Sequence, residues 1–216
     1  MNEENIIYVI TIWALPVLLA ITLHEAAHGW VAKYLGDHTA RLQGRLSLNP
    51  LRHVDLVGTV ILPIVLLVIG GFMFGWAKPV PVDPRNFRKP REHMAIVALA
   101  GPMSNFIMAV CWMGLMALAK QGLANTWIGY PLSLMAQAGV TINLILMVLN
   151  LLPLPPLDGG RIMVGMLKPA LAVKYARIEP YGFWILLALI FTGVLGRVMW
   201  PVMSFLESLL RSLFGV

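Results

Sequence analysis

Cysteine and charge are both scarce in this chain. Its 216 residues include one cysteine, Cys111, which lies inside an apolar run. An internal disulfide and a cysteine-built metal site are therefore excluded. Asp, Glu, Lys and Arg make up only 12% of the residues, against about 25% in a typical soluble domain. So little charge cannot cover a water-exposed surface, which excludes an ordinary soluble enzyme and a disordered chain. It also speaks against a nucleic-acid partner, despite an isoelectric point near 9.8. A basic start is missing too. Met1-Asn2-Glu3-Glu4-Asn5 is acidic and no small-residue cleavage site follows, so the first apolar segment is expected to be retained rather than removed as a signal peptide.

Apolar sequence is what the chain has in abundance: 59% of it is hydrophobic and its mean hydropathy is +0.79. A spanning helix needs about 20 mostly apolar residues. Asn5 to Leu23, Leu56 to Ala77, Met94 to Ala119, Gln121 to Leu157 and Tyr181 to about Trp200 supply the candidates. The fourth is too long for one span, and Tyr130-Pro131 is its expected turn. These runs predict an all-α polytopic membrane bundle forming a single domain over 1–216. A metal-bearing helix is expected at about 5–32, core helices at about 93–119 and 132–157, and C-terminal helices at about 181–214. The lipid bilayer is then an obligatory partner. Between them, Thr39-Ala-Arg-Leu-Gln-Gly-Arg-Leu-Ser-Leu alternates polar and apolar residues, a half-buried strand pattern. Val80-Pro-Val reads as a second extended piece, so a small membrane-associated β element is expected within 38–90.

Most of the 16 basic residues fall in three clusters: Lys33 to Arg52, Lys78 to Arg91, and Arg161 to Arg177. Lys and Arg are enriched in cytoplasmic loops, which predicts that all three clusters face the cytoplasm. Leu56 to Ala77 lies between two of them, so it is expected to dip into the membrane and return; the alternative is that it crosses and one basic loop is translocated against the rule. Pro63, Gly70 and Gly71 permit a broken path of that kind where protein covers the backbone.

The chemistry centres on His24-Glu25-Ala26-Ala27-His28. Residues four apart share a helical face, so both imidazoles can reach one metal ion while Glu25 stands beside it. Two His and one carboxylate suit zinc with an open fourth position, and a neighbouring Glu can move the proton of an activated water. An intramembrane Glu flanked by two His is costly and points to function. The third ligand is expected to be Asp158, in the segment Asn150 to Gly160. Pro153, Pro155 and Pro156 stop a helix there, and Gly159-Gly160 permit a tight turn. The alternative for Asp158 is a cap on the helix that starts near Arg161. His24 lies about nine residues, or roughly 13 Å, before Lys33. Asp158 lies just before Arg161, so both belong to the same membrane face. His53 with Asp55 reads as an interfacial hydrogen bond, and Asn105 as a bond to a neighbouring helix.

With HEAAH in its first helix, AGPMSN at Ala100 to Asn105 and NLLPLPPLDGG at Asn150 to Gly160, the chain resembles the site-2 protease family of intramembrane zinc metalloproteases. The resemblance is to a compact prokaryotic branch without a PDZ or nucleotide-sensing domain. It implies one Zn2+ per chain held by His24, His28 and Asp158, with Glu25 as catalytic base. It also implies that Asn150 holds substrate backbone or the developing oxyanion. The expected activity is hydrolysis of peptide bonds in transmembrane segments of membrane-protein substrates. It would take place in the cell membrane, with the active site toward the cytoplasmic side. The alternative is a non-proteolytic, zinc-stabilised scaffold binding single-span partners, in which Glu25 would have no use.

Overall fold

A computed structural model describes residues 3–53, 55–61, 65, 75 and 77–216 of the protein. Long charge-free runs become long helices because a backbone in hydrocarbon must satisfy its own polar groups. Helix α1 is Glu3–Tyr34, and a single turn, α2, follows at Thr39–Leu42. Then come α3 (Pro90–Ala117) and α4 (Gly129–Asn150). The chain continues through α5 (Asp158–Met166), α6 (Pro169–Ala176), α7 (Glu179–Phe191) and α8 (Val194–Phe214). The helical stretches Ile10–Tyr34, Pro90–Gly122 and Gly129–Asn150 are each long and apolar enough to cross a membrane. Helices α7 and α8 meet at a bend of 80°, where Gly193 takes φ +71°, a left-handed conformation that glycine adopts without strain. The protein is a multi-pass helical membrane protein.

Helix α3 is the centre and packs on α1, α4 and α5. Its Ala109, Trp112, Met113 and Met116 interlock with Ala136, Val140, Leu144 and Met147 of α4, and Met199 and Leu210 of α8 close the cluster. A Cβ at Gly139 would come within 2.2 Å of the Trp112 ring, so glycine sets how closely α3 and α4 approach. Within this packing, Arg211 donates through Nη2 to Gln137 Oε1 and Glu207 Oε1, and Gln137 Nε2 donates to Glu207 Oε1. The three side chains link α8 to α4.

Two expectations are corrected. Among the described residues there is no strand. The alternating stretch begins instead with the helical turn α2, because Asp37 Oδ1 accepts from Thr39 N at 3.0 Å and starts a turn. Gly44, at φ +64°, then redirects the chain before a ladder can form. The Val80 segment is neither helix nor strand. The turn between α3 and α4 comes before Tyr130-Pro131, which sit in the first turn of α4, where proline costs the helix nothing. Of the expected re-entrant path, Leu56–Ile61 is helical, started by Asp55 Oδ1 accepting from Gly58 N at 2.7 Å. The rest of that path lies largely outside the described residues.

Asp37 ties α1 to the segment ahead of α3. Oδ1 accepts from Thr39 Oγ1 and from Asn86 Nδ2 at 2.7 Å, and Oδ2 accepts from Asp83 N at 2.8 Å. Burial alone would raise its carboxyl, but these donors outweigh it and hold the group below the ordinary aspartate value. A depressed carboxyl stabilises the fold above its unfolded value, and that stability is lost as pH falls through the folded value. Asp37→Ala is therefore expected to lower stability by about 2–3 kcal/mol at neutral pH. The gap from the wild type should shrink below about pH 4. Thermal midpoints in detergent across that range check this, and a gap independent of pH would contradict it.

Candidate active site

The HEAAH turn of α1 faces two partners from distant sequence. Asp158 opens α5 directly after the proline-broken segment, and its Oδ2 lies 3.1 Å from His24 Nε2 and 3.3 Å from His28 Nε2. The two Nε2 atoms are 3.1 Å apart. Leu157, not Asp158, occupies the capping position of α5, and the Asp158 carboxylate is turned to the histidines.

The far side of each imidazole is fixed by α3. His24 Nδ1 donates to Asn105 Oδ1 at 2.6 Å, and His28 Nδ1 donates to the Val97 carbonyl at 2.7 Å. Asn105 is oriented in turn, since its Nδ2 donates to Ala20 O at 3.2 Å and Asn143 Oδ1 at 2.9 Å. Asn143 Nδ2 donates to Gly139 O at 2.8 Å. Both asparagines are fully buried. Because a carbonyl oxygen can only accept, each neutral imidazole keeps its proton on Nδ1 and turns a lone pair inward from Nε2. Asp158 Oδ2 is buried and has no hydrogen-bond donor. Three electron-pair donors thus converge within 4.8 Å of one another with no proton between them. That set fits a cation, and two imidazoles with one carboxylate suit zinc.

Gly101 makes this convergence possible. A Cβ there would lie 2.5 Å from His28 Cε1 and Nε2 and 2.6 Å from His24 Cε1, so α3 can lie against the imidazoles only with glycine at this position. At the other motif, a Cβ on Gly159 would meet the Leu152 carbonyl at 2.3 Å, which fixes the tight turn that presents Asp158.

Glu25 is half-buried on the same turn of α1, and its Oε2 accepts from the Val80 backbone N–H at 2.9 Å. Asn150 stands in the last turn of α4, where its Nδ2 donates to the Leu146 carbonyl at 2.9 Å rather than to the His–Asp group. His53 and Asp55 lie apart from it, with His53 Nε2 on the Ser47 carbonyl at 2.8 Å. In the sequence Asn105 signals only a helix–helix bond, and the roles of Asn143 and of the Val80 amide are not apparent there. An asparagine in a charge-free span was the available signal, since hydrocarbon punishes an unpaired amide.

Fold and site together define a helical membrane protein of metallohydrolase type, with a two-His, one-carboxylate group at one end of its bundle. The model of peptidase family M50 matches residues 112–193. The chain is 39% identical over 192 residues to the "Putative zinc metalloprotease YwhC" of Bacillus subtilis, covering 88% of this chain and 84% of that one. To the likewise named Rip2 of Mycolicibacterium smegmatis it is 33% identical over 182 residues, covering 83% of this chain and 66% of that one. It shares 36% identity over 104 residues with the regulator of sigma-E protease RseP of Escherichia coli, covering 45% of this chain and 22% of that one. No solved structure matches it. The chain belongs to peptidase family M50, the site-2 protease family, and is a zinc metalloprotease.

Proposed function

We propose that the protein is an intramembrane endopeptidase that hydrolyses peptide bonds in transmembrane segments of other membrane proteins. His24 Nε2, His28 Nε2 and the Asp158 carboxylate would hold one zinc ion per chain. Zinc, when bound, polarises the scissile carbonyl and makes a water molecule acidic. Glu25 takes the proton of the attacking water and passes it to the leaving amine as the carbon–nitrogen bond breaks. Asn150 gives up its bond to Leu146 and presents its amide to substrate backbone or the developing oxyanion. A helical substrate hides its carbonyls in its own hydrogen bonds, so it must unwind locally before attack. The basic clusters that follow both motifs support a site toward the cytoplasmic side of the cell membrane.

The observation that carries this reading is the meeting of Asp158 with the two imidazoles, 130 and 134 residues away in sequence. Its test needs no substrate. Purified in detergent without chelator, the wild type is expected to hold about one zinc per chain by mass spectrometry, as for a single three-ligand site. Asp158→Ala is expected to lose it. A zinc-free, folded wild type, or zinc unaffected by the substitution, would overturn the assignment.

A further inference from the structure

The Glu25 carboxylate is held from outside its own helix. Its Oε2 takes the Val80 N–H at 2.9 Å across 55 residues of sequence. Val80 stands in Lys78-Pro-Val-Pro-Val82, where Pro79 and Pro81 have no N–H and fix their backbones near φ −65°. Val80 is thus the one backbone donor of its triplet, on a chain with little freedom to turn that donor away.

Both ends of this segment are tied down. Lys78 N donates to the His53 carbonyl at 2.9 Å. The Arg45 guanidinium donates through Nη2 to the Lys78 carbonyl at 2.9 Å and the Pro79 carbonyl at 3.3 Å. Through Nη1 it donates to the Arg52 carbonyl at 2.5 Å. Beyond the segment, Asp83 N is held by Asp37. The approach to α1 is close as well. A Cβ on Gly29, one turn past Glu25, would meet Leu46 Cδ2 at 2.4 Å and Val80 Cγ1 at 3.1 Å.

We propose that the Lys78–Val82 segment positions the catalytic base, the Val80 N–H fixing Glu25 by one oxygen so that the proton is taken at the other, Oε1. This rests on the reading of Glu25 as the base. An unrestrained glutamate samples several rotamers, and one bond to a pinned amide selects among them. Val80 acts through its backbone and Arg45 by holding that backbone, so both are positioning residues.

The first test reads the contact itself by hydrogen exchange in D2O on the zinc-loaded protein. Fragments covering 79–82 carry only the Val80 and Val82 amides. Glu25→Ala should raise early uptake there by about one deuteron, as expected when a single protecting bond is lost. Unchanged uptake would overturn the contact. The second compares Val80→Pro, which removes the N–H, with Val80→Ala, which keeps it and serves as the reference. With zinc content matched, Val80→Pro should lower kcat on a fluorescent single-span reporter about 10- to 100-fold below Val80→Ala, the order expected for a displaced catalytic group. KM should change little. Equal kcat in the two variants would overturn the positioning role. Glu25→Gln separates the two ideas: if it is inactive while Val80→Pro matches Val80→Ala, only the positioning role fails. If Glu25→Gln turns over like the wild type, the base assignment fails.

Discussion

Glu25→Gln is expected to retain zinc and fold while turnover falls by about 10²- to 10⁴-fold, the usual contribution of a positioned acid–base group. The substitution is nearly isosteric. Its side-chain oxygen can still accept the Val80 N–H that Glu25 accepts at 2.9 Å, so packing over α1 is kept. What disappears is the capacity to take a proton, because the amide nitrogen of Gln is a donor only. Glu25 is not one of the three grouped donor side chains, so zinc content should match that of the wild type. Mass spectrometry for zinc and kcat on a membrane-embedded reporter check the two halves. Undiminished turnover would remove Glu25 from the mechanism.

Gly101→Ala is expected to damage the metal centre with no change to any ligand. The added methyl carbon would stand 2.5 Å from His28 Cε1 and Nε2 and 2.6 Å from His24 Cε1, well inside van der Waals contact. The rings cannot simply turn aside, since His24 Nδ1 is bonded to Asn105 and His28 Nδ1 to the Val97 carbonyl. Either those bonds break or α3 moves off α1. Both tilt the Nε2 lone pairs away from their common point. Disturbing the partners that orient ligands typically costs about 10- to 100-fold in metal affinity, and a loss of at least that order is expected by competition with a chelator. Gly196→Ala, where a Cβ would meet nothing within 4 Å, is the matched control and should bind zinc as the wild type does. Equal affinities in the two variants would show that α3 does not shape the site.

Much of this was legible in the residues because the membrane leaves few options. A charge-free run must be a helix in hydrocarbon, so α1, α3 and α4 follow from where Asp, Glu, Lys and Arg are missing. HEAAH has helical spacing, and Asp158 directly follows prolines that end one helix before the next begins, so both motifs carry their own geometry. The stretch from Thr39 to Leu48 misled for a physical reason. Alternation signals a strand only if a partner strand is near, and a local bond from Asp37 to Thr39 N formed a turn instead. The supports of the site were harder to read, because they depend on which helix faces collide. Nothing near His24 in sequence announces that Asn105 will hold its ring or that Asn143 will hold Asn105. The Val80 contribution is a backbone N–H, which every residue but proline has, and only the flanking prolines mark it.

The Gln137–Glu207–Arg211 group has a consequence for how α8 can move. One acid and one base cancel in formal charge, and Gln137 uses both ends of its amide on them, donating to Glu207 and accepting from Arg211. Together the three carry no net formal charge. That pairing holds only in one register. Sliding α8 by a single residue, about 1.5 Å along its axis and 100° around it, would part Glu207 and Arg211 from Gln137 and turn charge toward lipid. The helix is therefore indexed against α4 like a key in a keyway. Changes of shape around this group must then carry α4 and α8 as one piece and take up their strain elsewhere, with the left-handed Gly193 between α7 and α8 the nearest place for it.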